Sequence, residues 1–154
     1  MCSMVKSRQQ LIISAEGIVW RAGRYLTIVR GKQAAHAPGM LAFPGGGIET
    51  PAVRLEHVLE ENVRREVMEE TGIQIQDKLY YLESVAFLND ERIPSVHLTF
   101  LCRYKQGEAH IASSREVDAV HWLTVDEILQ HPNSPTWIRR SIRAAEHKRE
   151  QLGW

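Results

Sequence analysis

The segment REVMEETGI, residues 65–73, limits what this chain can be more than any other stretch. It crowds three glutamates into five residues and then stops at a glycine. On a helix, residues three and four positions apart share a face, so Glu66 lies beside both Glu69 and Glu70. Like charges at this spacing oppose the helix by roughly a few tenths of a kcal/mol per pair. The segment is therefore either a solvated acidic face or one side of a cation-binding site.

The acidic segment ends a longer pattern that predicts the main helix of the chain. One apolar face recurs every four residues, at Leu55, Leu59, Val63 and Val67. Thr50 suits the cap of such a helix, Pro51 its first turn and Gly72 its end. We therefore expect a helix between Thr50 and Gly72, preceded by an irregular glycine loop at residues 44–47.

The rest of the chain mixes strand and helix patterns, which indicates one compact α/β domain. Strands are expected at residues 11–20, 24–30, 41–43, 80–89, 95–104 and 119–124. The first two form a hairpin around Ala22 and Gly23, and residues 31–40 form a loop. In the strand at 95–104, apolar and polar residues alternate, which is typical of a half-buried strand.

Two further helices are expected near the end of the chain. The first covers residues 124–130, where Thr124 and Glu127 have the spacing of a capping box. The second is amphipathic and covers residues 134–151. Its predicted apolar contacts are Trp137, Ile138 and Ile142. Trp122, on the last strand, is also expected to pack in the core, because large aromatic side chains dominate cores.

Composition narrows the class of protein. The 154 residues suit a single domain, residues 1–154, with residues 1–8 as a flexible terminus. Lys plus Arg equals Asp plus Glu at 19 each, so nothing predicts an electrostatic grip on nucleic acid or on a membrane. No apolar run reaches the ~20 residues of a membrane span. Cys2 and Cys102 are the two cysteines, and no structural disulfide is expected. These features predict a soluble, cytoplasmic protein.

The glycine loop and the acidic helix together suggest a specific chemistry. Glycines in FPGGGIE, residues 43–49, let the backbone approach a ligand closely. Carboxylates bind hard cations such as Mg²⁺ or Mn²⁺, which often share their ligands with substrate phosphates. Arg65 is placed to hold Glu66 through a charge-assisted hydrogen bond. The crowded glutamates are therefore explained if metal ions lie between them and a diphosphate.

These residues resemble the Nudix hydrolases. The box of that family reads Gly, five residues, Glu, seven residues, then Arg-Glu-apolar-x-Glu-Glu-x-Gly-apolar. Its second half is matched by Arg65, Glu66, Val67, Glu69, Glu70, Gly72 and Ile73. Gly46 fits the opening glycine. The resemblance implies a Nudix-type α/β/α sandwich, with a mixed sheet between helices.

The resemblance also implies roles for individual residues. Metal ligands would be the side chains of Glu66, Glu69 and Glu70 and the backbone carbonyl of Gly45, with Mg²⁺ or Mn²⁺ as the metal. Arg65 would orient Glu66, and both would serve catalysis. The general base would come from a loop before a Trp-containing strand, where Glu116 is the first choice and Asp118 the reserve. Substrate contacts are expected at Gly46 and Gly47, and at Arg30 with Trp20 on the first hairpin.

The first half of the box departs from the family pattern. Arg65 follows Gly46 by 19 positions, where the pattern has fourteen, so five residues are extra. Counting forward puts Ala52 at the expected glutamate, and counting back puts His57 there. On the predicted helix His57 would point away from Glu66, so a surface or packing role is expected for it.

Several functions are compatible with these features. The first is a metal-dependent hydrolase of a diphosphate bond in a nucleoside diphosphate derivative, with a nucleoside-triphosphate pyrophosphohydrolase preferred. An ADP-ribose or nucleotide-sugar pyrophosphatase is the alternative. A non-catalytic Nudix-fold module that senses nucleotides is a hypothesis from another class, and an interaction domain with surface acids is a third. The expected partner is a nucleotide-derived small molecule, and the family resemblance adds a homodimer.

Overall fold

The computed structural model describes residues 10–49 and 54–154 of the chain. The predictions for residues 1–8, for Cys2 and for the capping residues Thr50 and Pro51 lie outside these ranges. The strands are β1 (Ile12–Arg21), β2 (Arg24–Arg30), β3 (Leu41–Ala42), β4 (Gly45–Gly47), β5 (Gln74–Ile75), β6 (Tyr80–Leu88), β7 (Pro94–Gln106) and β8 (Val117–Leu123). The helices are α1 (Val58–Thr71), α2 (Val125–Gln130) and α3 (Thr136–Leu152).

The two longest strands, β1 and β7, run parallel side by side, from the pair Ile12 and Ser95 to the pair Trp20 and Arg103. The other pairings in the sheet are antiparallel: β4 joins β1, β6 and β5 join β7, and β3 and β8 join β2. The predicted hairpin is confirmed, because β1 and β2 pair at their shared turn. Ala22 and Gly23 both have positive φ there, as two-residue hairpin turns favour.

Hydrophobic cores lie on both faces of this mixed sheet. On one face α1 packs with Val63 and Val67 against side chains of β1 and β7. On the other face α2 and α3 pack with residues such as Ile128 and Ile142. The predicted α/β/α sandwich is therefore confirmed. No helix in the described part of the chain is both long and apolar enough to cross a membrane.

The prediction that β7 is buried on one face only was wrong, because helices cover both faces of the sheet. Its alternating sequence indicated one buried and one solvated face, yet Thr99 is only 1% exposed and Leu101 is fully buried. Both residues lie on the face that was expected to be polar and open, where α3 and its neighbours cover part of the sheet. A strand in the middle of a sandwich is buried on both sides, and its sequence alternation does not reveal this.

The main helix begins later than its apolar pattern predicted. Residues 54–57 are not helical, and α1 begins at Val58. His57 is the residue before the helix, with a left-handed backbone at φ 54°, which interrupts the helical path. Leu55 is exposed, so it continues the spacing of the apolar face without belonging to it. His57 is also exposed, as expected, although it is not part of a helix.

Two other expectations were wrong. The glycine loop is partly regular, because Gly45–Gly47 forms β4 and pairs with residues 14–16 of β1. Three glycines have low strand propensity, but a neighbouring strand supplies the hydrogen bonds. Trp137 is 50% exposed and is not a core contact of α3, whereas Ile138 and Ile142 are buried as expected.

The capping box of α2 is confirmed, with both Thr124 and Glu127 making their reciprocal bonds.

Candidate functional site

The carboxylates of α1 meet the glycine strand β4. Because Val63 and Val67 pack into the sheet core, the helix turns Glu66 and Glu70 toward this strand, where both are largely buried. The Gly45 N–H donates to Glu70 Oε2 at 3.2 Å. A β-carbon placed on Gly46 would lie 2.5 Å from Glu66 Oε1, which is too close for any other residue type without a shift of the carboxylate. The absence of a side chain at Gly46 therefore leaves the space that the Glu66 carboxylate occupies.

Arg65 connects three side chains of α1. Its guanidinium donates to Glu66 Oε1, Glu69 Oε2 and Asn62 Oδ1, each at 2.8 Å. Asn62 in turn donates to the Gly46 carbonyl at 3.1 Å. Arg65 therefore holds Glu66 as predicted from the sequence. Asn62, which links this fork to β4, was missed, and the only sequence signal for it is its position three residues before Arg65.

Burial and mutual repulsion make the acidic pair hard to ionise. Burial, followed by the charge of Glu66, raises the pKa of Glu70 to about 8, against the opposing hydrogen bond from Gly45. Burial also raises the pKa of Glu66, although the adjacent Arg65 lowers it. Two buried carboxylates with little positive charge around them repel each other when ionised. A bound cation would stabilise their ionised forms.

Glu116 belongs to this electrostatic cluster. Its charge contributes to the raised pKa of both Glu66 and Glu70. The loop that carries it is held by the Gly31 N–H, which donates to the Glu116 carbonyl at 2.8 Å, and the Ser113 hydroxyl donates to the Glu116 carboxylate at 2.9 Å. Asp118 lies instead in a separate surface depression with Lys32 and Arg115. Of the two predicted candidates for the base, Glu116 is the one whose charge acts on the buried carboxylates.

The residues predicted to contact substrate have different surroundings in the structure. Arg30, at the end of β2, acts electrostatically on Glu70, and its Nε donates to the His36 carbonyl at 2.7 Å. Gly47 has open space where a side chain would begin, so no close contact requires a glycine there. Trp20 packs at the other end of β1, with its ring 5.8 Å from that of Trp154. The structure thus brings Arg30, and not Trp20, toward the acidic cluster.

The oxygen donors at this junction have the chemistry that a hard divalent cation requires. The predicted set of three glutamates is only partly assembled, however. Glu69 is 54% exposed in its side chain and is bonded to Arg65, which also binds Glu66. Within residues 10–49 and 54–154, no three His, Cys, Asp or Glu side chains form a ready-made metal site. The donors that converge are Glu66 and Glu70, and the charge of Glu116 acts on both.

A second polar cluster lies on the sheet face opposite α1, and sequence reasoning missed it. His97 on β7 contacts two residues of β1: its Nδ1 lies 2.7 Å from Ser14 Oγ and its Nε2 lies 3.3 Å from Glu16 Oε2. The Thr99 hydroxyl donates to Glu16 Oε1 at 3.1 Å. These residues are about eighty positions apart in sequence, so only the β1–β7 pairing brings them together.

Comparison with known proteins assigns the class. The family model of the NUDIX domain matches residues 12–145. The NAD-capped RNA hydrolase NudC of Haemophilus influenzae (strain PittGG) is 35% identical over 116 residues, which are 68% of this chain and 42% of that protein. A MutT-like protein of Streptomyces ambofaciens is 36% identical over 118 residues, covering 75% of this chain and 66% of the relative. The chain therefore belongs to the Nudix family.

A solved structure supports the same assignment at the level of the fold. The crystal structure of a MutT NUDIX hydrolase from Burkholderia pseudomallei superposes with a TM-score of 0.67 and 26% identity, over 90% of this chain and 98% of that one. This chain spans only about two fifths of the length of the NudC relatives. The family predicted from the acidic helix is confirmed, and the hydrolase relatives support the predicted class, a Nudix pyrophosphohydrolase. Nudix hydrolases generally use divalent metal ions.

Proposed function

We propose that this chain is a Mg²⁺-dependent Nudix hydrolase that cleaves a phosphoanhydride bond in nucleoside diphosphate derivatives, with nucleoside triphosphates as the first candidates. The observation that carries the proposal is the junction of α1 and β4. There Glu66 and Glu70 are buried against glycines, and within residues 10–49 and 54–154 the positive charges that lower their pKa values are those of Arg65 on Glu66 and Arg30 on Glu70. A diphosphate with its divalent cation would supply the missing charge.

Each residue of the junction has a distinct task in this proposal. Glu66 and Glu70 would hold the metal, with Glu69 and the Gly45 carbonyl as further predicted ligands. When bound, a divalent cation neutralises phosphate charge and favours the ionised form of a nearby water. Arg65 keeps the Glu66 carboxylate in one orientation through its 2.8 Å hydrogen bond.

Glu116 is the proposed general base. Its carboxylate would accept a proton from the water that attacks phosphorus, and the P–O bond of the anhydride would then break. The products would be a nucleoside monophosphate and either pyrophosphate or a phosphorylated group. The Gly31 N–H fixes the backbone of Glu116, so the loop can present this carboxylate without a large conformational change.

An alternative substrate class is a dinucleotide or nucleotide sugar, such as ADP-ribose. It is favoured by the NudC relatives, which are named for hydrolysis of an NAD-capped RNA. An NAD cap contains a diphosphate between two nucleosides, so the same bond type is cleaved. The nucleotide sensor stays a further hypothesis, motivated by the departure in the first half of the box. Cytoplasmic location, absence of nucleic-acid partners and a homodimer also stay predictions.

The test is hydrolysis by the purified chain with Mg²⁺, over a panel of nucleoside triphosphates, ADP-ribose, NAD, an NAD-capped RNA oligonucleotide and nucleotide sugars. Glu70→Gln removes a buried carboxylate of the junction. Glu61→Gln is its matched control, because Glu61 is an exposed glutamate of the same helix that bonds to Arg64. We expect turnover of at least one substrate, a loss of about 10²-fold or more in Glu70→Gln, and wild-type rates in Glu61→Gln.

The possible results separate the hypotheses. Equal turnover in Glu70→Gln and in the wild type would contradict the role of the junction. Nucleotide binding without any turnover would contradict the hydrolase and favour the sensor. Preference for NAD or NAD-capped RNA over triphosphates would support the proposed hydrolysis of a phosphoanhydride bond, but would replace nucleoside triphosphates as the proposed substrate class.

A further inference from the structure

The sheet face opposite α1 has a covered end and an accessible end. The covered end lies under α3, where the Ser141 hydroxyl donates to Glu83 Oε1 on β6 at 2.7 Å. Toward the start of β1 the strands align in rows across this face. Ser14 pairs with His97 and His97 with Val85, while Ser95 pairs with both Ile12 and Phe87. Phe87 is 50% exposed. An exposed aromatic ring and the partly buried polar cluster therefore lie in adjacent rows of the same sheet face, with the buried Ser95 beside the ring.

The polar cluster has hydrogen-bonding capacity to spare. Glu16 is largely buried, and its carboxylate receives one donor on each oxygen, from Thr99 and from His97. A carboxylate offers about four acceptor positions, so further donors can bind. The Ser14 hydroxyl, which contacts His97, is partly exposed and is also able to accept. None of these side chains belongs to the acidic junction of α1. The proposed hydrolysis therefore does not explain why this polar cluster is buried.

The cluster is close to the proposed site of cleavage. Glu16 pairs across β1 and β4 with Gly45, and the Gly45 N–H is bonded to Glu70. The charge of Arg30 acts on both Glu70 and His97. A nucleotide whose phosphates lie at the α1 carboxylates would therefore reach this face with its nucleoside part.

Two half-exposed aromatic side chains belong to the elements that border this face, β6 and α3. Phe87 lies on β6, and Trp137 of α3 precedes Ser141 by one helical turn, on the same side of the helix. Both rings are half exposed, unlike the buried Ile138 and Ile142. Single exposed aromatics are common on protein surfaces. Phe87, however, lies one row from a buried carboxylate with free acceptor capacity, an arrangement that suits a flat heterocycle bearing N–H donors.

We propose that Ser14, Glu16 and His97 form the nucleobase-recognition site of this enzyme, and that it selects bases that carry an exocyclic amino group and contact Phe87. This inference rests on the proposed function, because it names the part of the same substrate that binds beside the cleavage site. The Glu16 carboxylate accepts the amino hydrogen, and His97 and Thr99 hold that carboxylate in place. A base without the amino group leaves the carboxylate short of a donor, which reduces its affinity.

The experiment compares substrate pairs that differ only in the amino group. ATP is paired with purine riboside triphosphate, and GTP with ITP. We expect the wild type to prefer the amino member of at least one pair by about tenfold or more in kcat/KM, because unpaired buried polar groups give strong discrimination. Glu16→Gln should bring that ratio close to one. Ser14→Ala, at a partly exposed position, is the second variant and should change the ratio if Glu16→Gln fails to fold.

Phe87→Ala tests the aromatic contact. It should lower kcat/KM for both members of a pair alike, by about tenfold, in line with the measured range for base–aromatic stacking. Tyr81→Ala is the matched control, because Tyr81 is an exposed aromatic of the same strand that contacts Phe100 on the opposite face of the sheet. It should leave both rates unchanged. Equal losses in the two variants would overturn the assignment of Phe87.

A binding measurement separates this inference from the proposed function. AMP and purine riboside monophosphate are titrated into the metal-free protein by calorimetry, which requires no turnover. Preference for AMP that disappears in Glu16→Gln supports the recognition site even if no nucleotide is hydrolysed, in which case only the proposed function fails. GMP and IMP are titrated in the same way. Equal binding within both monophosphate pairs, or triphosphate ratios near one for both pairs in the wild type, overturns the recognition site and leaves the hydrolase intact.

Discussion

At the scale of single residues, the site depends on the guanidinium group of Arg65, which binds three side chains at once. Arg65 binds Glu66, Glu69 and Asn62 with geometry that a planar fork allows and a lysine ammonium does not. Glu66 is thereby kept against Gly46, where no β-carbon competes for the space. The position of a buried carboxylate is thus fixed from two sides, by a charge on the helix and by a missing side chain on the strand.

Arg65→Lys tests this sharing. A lysine keeps the charge, but its single nitrogen cannot reproduce the planar fork that reaches three separate side chains. We therefore expect kcat/KM to fall by about 10- to 100-fold, the usual cost of removing a residue that orients a metal ligand. The measurement is steady-state hydrolysis of the best substrate over a range of Mg²⁺ concentrations. Arg64→Lys is the control, since Arg64 bonds to the Gln76 and Asp77 carbonyls, away from Glu66. A loss of equal size in Arg64→Lys would contradict the argument.

At the scale of elements, the sequence predicted what depends on short spacings. The acidic face of α1, its glycine terminus and the capping box of α2 are all local patterns, and each was found. The start of α1 was wrong because Leu55 has the right spacing but an irregular backbone, with His57 in the left-handed region. Strand β4 was missed because it exists only through its pairing with β1. The spacing of residues indicates which secondary structure a segment prefers, but not the strand or helix with which it packs.

The same limit explains the polar cluster on β1 and β7. Ser14 and Glu16 sit in a largely apolar strand, and nothing nearby in sequence indicates that His97 and Thr99 will be their partners. The parallel register between the two strands creates the cluster. For the acidic site, local pattern was sufficient to find Glu66 and Glu70 but not Asn62, whose role depends on the Gly46 carbonyl.

The cluster also predicts a pH dependence of stability. Burial lowers the pKa of His97, but the hydrogen bond and charge of Glu16, with the charge of Glu83, outweigh burial and the opposing Arg30, so the pKa is raised above 6.5. A histidine with a raised pKa stabilises the folded state fully below its unfolded pKa and loses this contribution as pH rises through the folded value. The wild type should therefore exceed His97→Gln in stability by the largest margin at pH 6 and below.

Urea unfolding of both proteins between about pH 5.5 and 8.5 measures this margin. We expect it to shrink as pH rises above 6.5, the ordinary value for this side chain. Glu16→Gln removes the main partner of His97 and should flatten the margin over the same range. A margin that grows with pH would contradict the proposed charge state of His97.

At the scale of the whole molecule, one sheet separates the core under α1 from the core under α3, and among the residues that the structure describes these two cores share no buried side chain. Ile73 belongs to the core under α1, and Ile142 to the core under α3. The parallel pair β1 and β7 contributes side chains to both, since Val19 and Cys102 face one core while Ile18 and Leu101 face the other. Loss of either core would therefore expose one face of the same two strands, which couples the two layers in a single folding unit.

Ile73→Ala and Ile142→Ala test this coupling with the same substitution on opposite faces. Both residues are fully buried, so each change should cost about 2–5 kcal/mol. Each should lower one common Tm, by about 2–4 °C per kcal/mol, and the two costs should add in the double variant. Ile111→Ala, at an exposed isoleucine, should shift the Tm by no more than about 1–2 °C. Far-UV circular dichroism and tryptophan fluorescence should report coincident transitions in all four variants. Two separated transitions in either single variant would mean that the layers unfold independently, and the acidic junction on one side would then be stable without the α3 layer on the other.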